Sequence, residues 1–223
     1  MIKIENLSHA YAKQRVLDDV NLHILKNERC ALVGRNGAGK STMIHTMLGL
    51  IPLQVGSITL GGISNKKQDW KKVVSYLPEK FNLYPHLTGE ENIRFFASLA
   101  SKKLDEESID EKLKLVSLHE ARKDQITTYS KGMLQRLGLA IMLYYDSDII
   151  ILDEPTSGLD PVGRKEILAI IKSLTNKTIM MASHHLNEIE EVCTHVAYLE
   201  KGKITKYSIE EFLSVDLKER QQA

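Results

Sequence analysis

Cysteine, tryptophan and proline are scarce in this chain, at two, one and five among 223 residues. Cys30 and Cys193 make neither a disulfide framework nor a metal-ligand cluster, so they read as core fillers of a reduced protein. An excess of charge of one sign is missing as well. The chain holds 30 Lys and Arg against 29 Asp and Glu, a net charge of +1, which argues against a nucleic-acid partner or an acidic-lipid surface. The uncharged run at residues 137–145 falls far short of the ~20 residues a membrane helix needs. Met1-Ile2-Lys3-Ile4-Glu5 alternates apolar and charged residues and lacks a signal peptide's apolar region. No internal repeat or low-complexity tract is present. Membrane spans, secreted scaffolds and disordered tails are thereby disfavoured, and a cytoplasmic protein is expected.

What is present is a core's worth of apolar residues, 43% of the chain, in strand-like and helix-like stretches that alternate. Residues 2–7 and 17–25 alternate apolar and polar, as a half-buried antiparallel pair would. Residues 30–33 form a short apolar run ended by glycine, and helical period follows over 41–50. Strand signals recur at 57–60, 73–77, 148–152, 178–182, 195–199 and 203–207. Helix starts are marked by Thr88 with Glu91, by Asp160-Pro161, and by Ser208 with Glu211. The apolar face of the first helix runs over 92–100, and 105–118 is a charged amphipathic helix. The pattern predicts one domain over 1–223: an α/β framework with a mainly parallel sheet, helices on both faces, and a helical lobe inserted at about 78–145.

Two motifs carry chemistry. Gly34-Arg35-Asn36-Gly37-Ala38-Gly39-Lys40-Ser41-Thr42 fits the Walker A pattern, between a buried-type strand and a helix. Its glycines let successive backbone N–H groups turn inward as an anion nest, and the helix start adds its positive end. Lys40 is then placed for the β- and γ-phosphates of a nucleotide, and Ser41 for magnesium. The second motif, Ile149-Ile150-Ile151-Leu152-Asp153-Glu154, is a buried-type strand ending in two acids, which need a cation or hydrogen bonds to hold them there. Asp153 suits magnesium, and Glu154 suits polarising an attacking water as general base.

With Tyr129-Ser130-Lys131-Gly132-Met133-Leu134-Gln135-Arg136 between those motifs, and Ser157-Gly158-Leu159-Asp160 and Ser183-His184 after them, the chain resembles the nucleotide-binding subunits of ATP-binding-cassette (ABC) transporters. The resemblance runs from Tyr11 to about Ile204. It implies a P-loop (RecA-like) α/β core with an N-terminal antiparallel part, ATP and Mg²⁺ as ligands, and a head-to-tail homodimer. Each ATP would lie between Walker A of one copy and Ser130 and Gly132 of the other. Tyr11 would stack on adenine, unless it is simply packed beside its strand, and His184 would bond the γ-phosphate. Glu79, in Tyr76-Leu77-Pro78-Glu79, stands where the family has a glutamine that contacts magnesium. Its carboxylate keeps an oxygen ligand and adds negative charge. Lys131 and Met133 depart from the signature's usual glycine and glutamine, and Lys131 either adds positive charge near the partner's ATP or points to solvent. The implied role is ATP hydrolysis driving a separate multi-span permease subunit, exporter-type, from the inner face of the membrane. An importer ATPase and a soluble ATP-dependent dimerising switch are the alternatives.

Overall fold

The computed structural model describes residues 1–12, 14–99 and 104–214. Period-two burial builds the first layer: β1 (Ile2–Tyr11) and β2 (Gln14–Ile24) pair antiparallel, with Ile2, Ile4, Leu7, Leu17, Val20 and Leu22 turned inward. β3 (Arg29–Val33) crosses to a second sheet, and α1 (Lys40–Met47) follows it with Met43, Ile44 and Met47 fully buried. β4 (Val55–Leu60) and β5 (Ile63–Ser64) return to the first sheet, whose order is β2-β1-β4-β5.

The second sheet adds β6 (Val74–Leu77), β7 (Ile149–Asp153), β8 (Thr178–Ala182), β9 (His195–Glu200) and β10 (Lys203–Ser208) in the order β10-β9-β3-β8-β7-β6. β6, β7, β8, β3 and β9 run parallel, and β10 closes one edge antiparallel. The central strands are apolar on both sides. Ala31, Ile150, Leu152, Ile179 and Met181 face one core, while Cys30, Leu32, Ile149, Ile151, Met180 and Ala182 face the other.

One expectation needs correcting here. Helices do not cover both faces alike: the second core is roofed by α1 together with the antiparallel sheet. A strand that is apolar on both sides reports two buried faces, and a sheet can bury one as well as a helix can.

The other helices, α2 (Gly89–Ser98), α3 (Glu106–Leu115), α4 (Lys131–Tyr144), α5 (Pro161–Ser173) and α6 (Leu186–Val192), contribute to the first core. The first three form the lobe between β6 and β7. Their caps satisfy the free N–H groups that every helix start leaves. Thr88 and Glu91 bond reciprocally, Asp105 accepts from Ser108 N, Ser130 from Met133 N, and Asp160 from Gly163 N. Ser208 and Glu211 make the same reciprocal pair before helical residues 209–214. Ala100, expected at the end of the lobe's first helix, lies outside the described residues. Both cysteines are buried, and burial pushes the Cys193 thiol up to about 12, in keeping with a packing role. The carboxyl ends of β3, β8, β7 and β6 meet at one edge, where open parallel sheets bind ligands.

Candidate active site

At that edge lies a cavity of 540 Å³ lined by Tyr11, Asn36, Gly37, Gly39, Lys40, Ser41, Thr42, Glu79, Asp153 and Glu154, with Gln14 and Val16. Ten of the residues singled out in the sequence thus share one space. The loop after β3 owes its shape to glycine: Gly37 and Gly39 have φ of 80° and 109°. A Cβ on Gly39 would stand 2.8 Å from Val16 Cγ1, so glycine there also lets β2 approach the loop. Ala38 N donates to Arg35 O, and Lys40 Nζ donates to Gly34 O at 2.7 Å, spanning the loop it closes. α1 starts at Lys40 itself, directing its unpaired N–H groups and positive end toward the loop.

The acids come from neighbouring strands. Asp153 ends β7 and is 7% exposed, Glu154 follows it, and Glu79 follows the end of β6. Burial first, then the charges of Glu154 and Glu79, hold the Asp153 carboxyl above its ordinary range, with only a partial offset from His45 and Lys40. Tyr76 is pushed up to about 12 by burial, then by Asp153 and Glu79. The cavity floor is therefore a place where negative charge is crowded.

Glu154 adopts φ 49°, a left-handed conformation that a non-glycine residue takes at some cost, and Glu154 N is fixed to Ala182 O at 2.9 Å. The bend turns its side chain toward the loop after β8. There His184 Nδ1 lies 2.9 Å from Glu154 Oε2. A carboxylate only accepts, so the shared proton sits on Nδ1.

Gly34, Ala38, Ser130, Gly132 and His184, also singled out in the sequence, do not line the cavity in this chain. Gly34 lies beneath it, its space limited by Leu199 O, which a Cβ would approach to 2.5 Å. Ser130 and Gly132 stand at the start of α4, where the Ser130 hydroxyl accepts from Met133 N at 3.2 Å. Lys131 turns to its own chain: its ammonium lies over Gly158, 2.0 Å from where a Cβ would stand. Gln14 and Val16 went unrecognised because only the β1–β2 pairing brings them to the phosphate loop. A second missed group underlies the site, with Glu188 Oε2 accepting from Thr156 Oγ1 at 2.7 Å and Ser183 Oγ at 3.1 Å.

Known proteins resemble the chain in sequence and in fold. Residues 17–157 match the family model described as ABC transporter. The lantibiotic transport ATP-binding protein SrtF of Streptococcus pyogenes is 38% identical over 206 residues, covering 92% of this chain and 89% of that protein. The bacitracin transport ATP-binding protein BcrA of Bacillus licheniformis is 38% identical over 212 residues, covering 92% and 68%. The dimeric structure of MJ0796, a bacterial ABC transporter cassette, superposes with a TM-score of 0.82 at 26% identity, covering 94% of this chain and 99% of that one. A further structure of that cassette is of a post-hydrolysis state bound to ADP and Pi. The chain belongs to the ABC transporter family as an ATP-binding, ATP-hydrolysing subunit.

Proposed function

We propose that this single cassette domain binds MgATP between two head-to-tail copies and drives a separate multi-span, exporter-type membrane subunit from the cytoplasmic face. The observation that carries the proposal is the division of the binding groups. Lys40, the nest of the phosphate loop, Asp153 and Glu154 share one cavity, while Ser130 and Gly132 stand outside it at a helix start. A second copy turned end for end would supply the missing face. ATP then joins two half-sites, and its hydrolysis removes the contact that favours closure. Relatives named for lantibiotic and bacitracin transport support the exporter reading.

The donor set fits magnesium. Among the described residues no three His, Cys, Asp or Glu form a metal cage. Mg²⁺ asks for little more than one or two protein oxygens, completing its octahedron with phosphate and water. Ser41 and Asp153, with Glu79 beside them, would hold it, and the crowded acids gain a counter-charge. The ion when bound would screen the phosphate charge. Lys40 would leave the Gly34 carbonyl for the phosphates, and Tyr11, 51% exposed at the rim, would offer its ring to adenine. Glu154 Oε2 is taken by His184, which leaves Oε1 to accept a proton from the attacking water. His184 can donate to the γ-phosphate through Nε2 while keeping Glu154 only as the imidazolium.

Glu154→Gln tests the site. ATP binding should persist, turnover should fall about 100-fold or more, and an ATP-dependent dimer should accumulate on size exclusion. A monomer with normal turnover would refute the water-activating role.

A further inference from the structure

The loops that carry Glu154 and His184 are tied together from below. Glu188 of α6, its side chain 6% exposed, accepts through Oε2 from Thr156, two residues past Glu154, and from Ser183, one before His184. Arg164 of α5 makes the second tie. Its Nε donates to Leu159 O at 3.0 Å, and its Nη1 lies 3.1 Å from His185 Nε2 and 3.8 Å from Glu188 Oε1. The imidazoles of His185 and His184 are tilted by 40° with centroids 4.0 Å apart.

The chemistry of these groups fixes where their protons sit. A guanidinium only donates, so His185 Nε2 must be the acceptor and its proton must sit on Nδ1. His185 is therefore neutral in this arrangement, whereas His184, donating to Glu154, tolerates either state. His185 stands at the start of α6. In the fold it stands between a fixed cation and the ring that holds Glu154.

We propose that Arg164 and His185 are positioning residues of the hydrolytic site, locking the loop after β8 to the loop after β7 so that His184 is held against Glu154. This rests on the roles assigned above to Glu154 and His184. The charged and titratable groups facing His185 are Arg164 from α5, Glu188 from α6, and His184 beside it with Glu154 beyond. Glu188 is committed through Oε2 to two hydroxyls, and its Oε1 faces the guanidinium without a hydrogen bond. Arg164 Nη1 can donate to His185 only while Nε2 is there to accept, so the tie depends on that acceptor.

The test compares His185→Leu, which removes the acceptor, with His185→Gln, which keeps one. His185→Leu should lower kcat about tenfold, the effect of ~1.4 kcal/mol on the barrier, with KM for ATP within about twofold. His185→Gln should retain most of kcat. Turnover within twofold of the parent in His185→Leu would overturn the proposal. Imidazole NMR of the nucleotide-free protein gives a reading apart from activity. The hydrogen-bonded Nδ1–H signal of His184 should survive His185→Gln and broaden away in His185→Leu, and its persistence in the latter would sink the lock. If Glu154→Gln proved fully active while this signal behaved as expected, the catalytic assignment would fall and the lock would stand.

Discussion

At the scale of single residues, Asp153 sits in an environment that is costly for a carboxylate. Its carboxyl is raised above the ordinary range, so the folded protein binds its proton more tightly than the unfolded chain does. The corresponding stability is present at acid pH, below the unfolded value, and is lost as pH rises through the raised folded value. At neutral pH the nucleotide-free fold therefore carries an uncompensated charge. Asp153→Asn should raise the melting temperature of the nucleotide-free protein at pH 7, by about 2–4 °C for ~1 kcal/mol in a domain this size, and abolish any further rise on adding Mg²⁺ with ATP. A lower melting temperature without nucleotide would show that the charge is compensated. Residues such as Lys40, Ser41, Asp153 and Glu154 were legible because each motif is contiguous in sequence, the strand or helix beside it fixing its geometry. Gln14, Val16, Arg164 and His185 were not, since hairpin pairing and the meeting of two loops with α5 and α6 bring them to the site. Nothing local marks them.

Among the elements, α4 shows how a helix can hold a site loop. A Cβ on Gly138 would fall 2.4 Å from Phe81 Cζ, so the glycine seats the ring that follows Glu79 by two residues. Gly138→Ala should gain about 1 kcal/mol of helix propensity and lose about 1–3 kcal/mol to the displaced ring. The two terms can be separated in a double-mutant cycle. Thermal melts should find Gly138→Ala destabilising in the parent chain and stabilising in a Phe81→Ala background; the same sign in both would mean the ring moves aside freely. Helix starts were readable because a cap is a local arrangement, as Thr88–Glu91 and Asp160–Pro161 illustrate. Which layer roofs the second face was not readable, because β7's run Ile149–Leu152 is equally apolar whether a helix or a sheet lies over it.

For the molecule as a whole, the question is where force would leave the cassette. Among the described residues no helix is long and apolar enough to cross a membrane, so the proposed work needs a surface for a membrane subunit. The loop after β6 offers one. A cleft of 440 Å³ between β6 and α4 is lined by Val74, Tyr76, Pro78, Phe81, Phe96 and Met142 among others, next to Glu79. At its rim Tyr84 and Phe95 pack with the lining residue Phe96 and with each other, edge to face or tilted, at 4.5 to 6.1 Å, with Tyr84 45% and Phe95 37% exposed. An exposed aromatic cluster beside an apolar cleft is costly to leave in water, and a partner seated there would relieve that cost. Because the cleft borders the loop bearing Glu79, a segment seated there would feel changes at the carboxylates. Tyr84→Glu with Phe95→Glu should leave the ATP turnover of the isolated chain within about twofold, as surface changes away from the site usually do. Coexpressed with its membrane subunit, the double variant should no longer co-purify with it in mild detergent, where the parent does. Retained co-purification would move the docking surface elsewhere, and loss of turnover in the isolated chain would mean that the aromatics support the site rather than a partner.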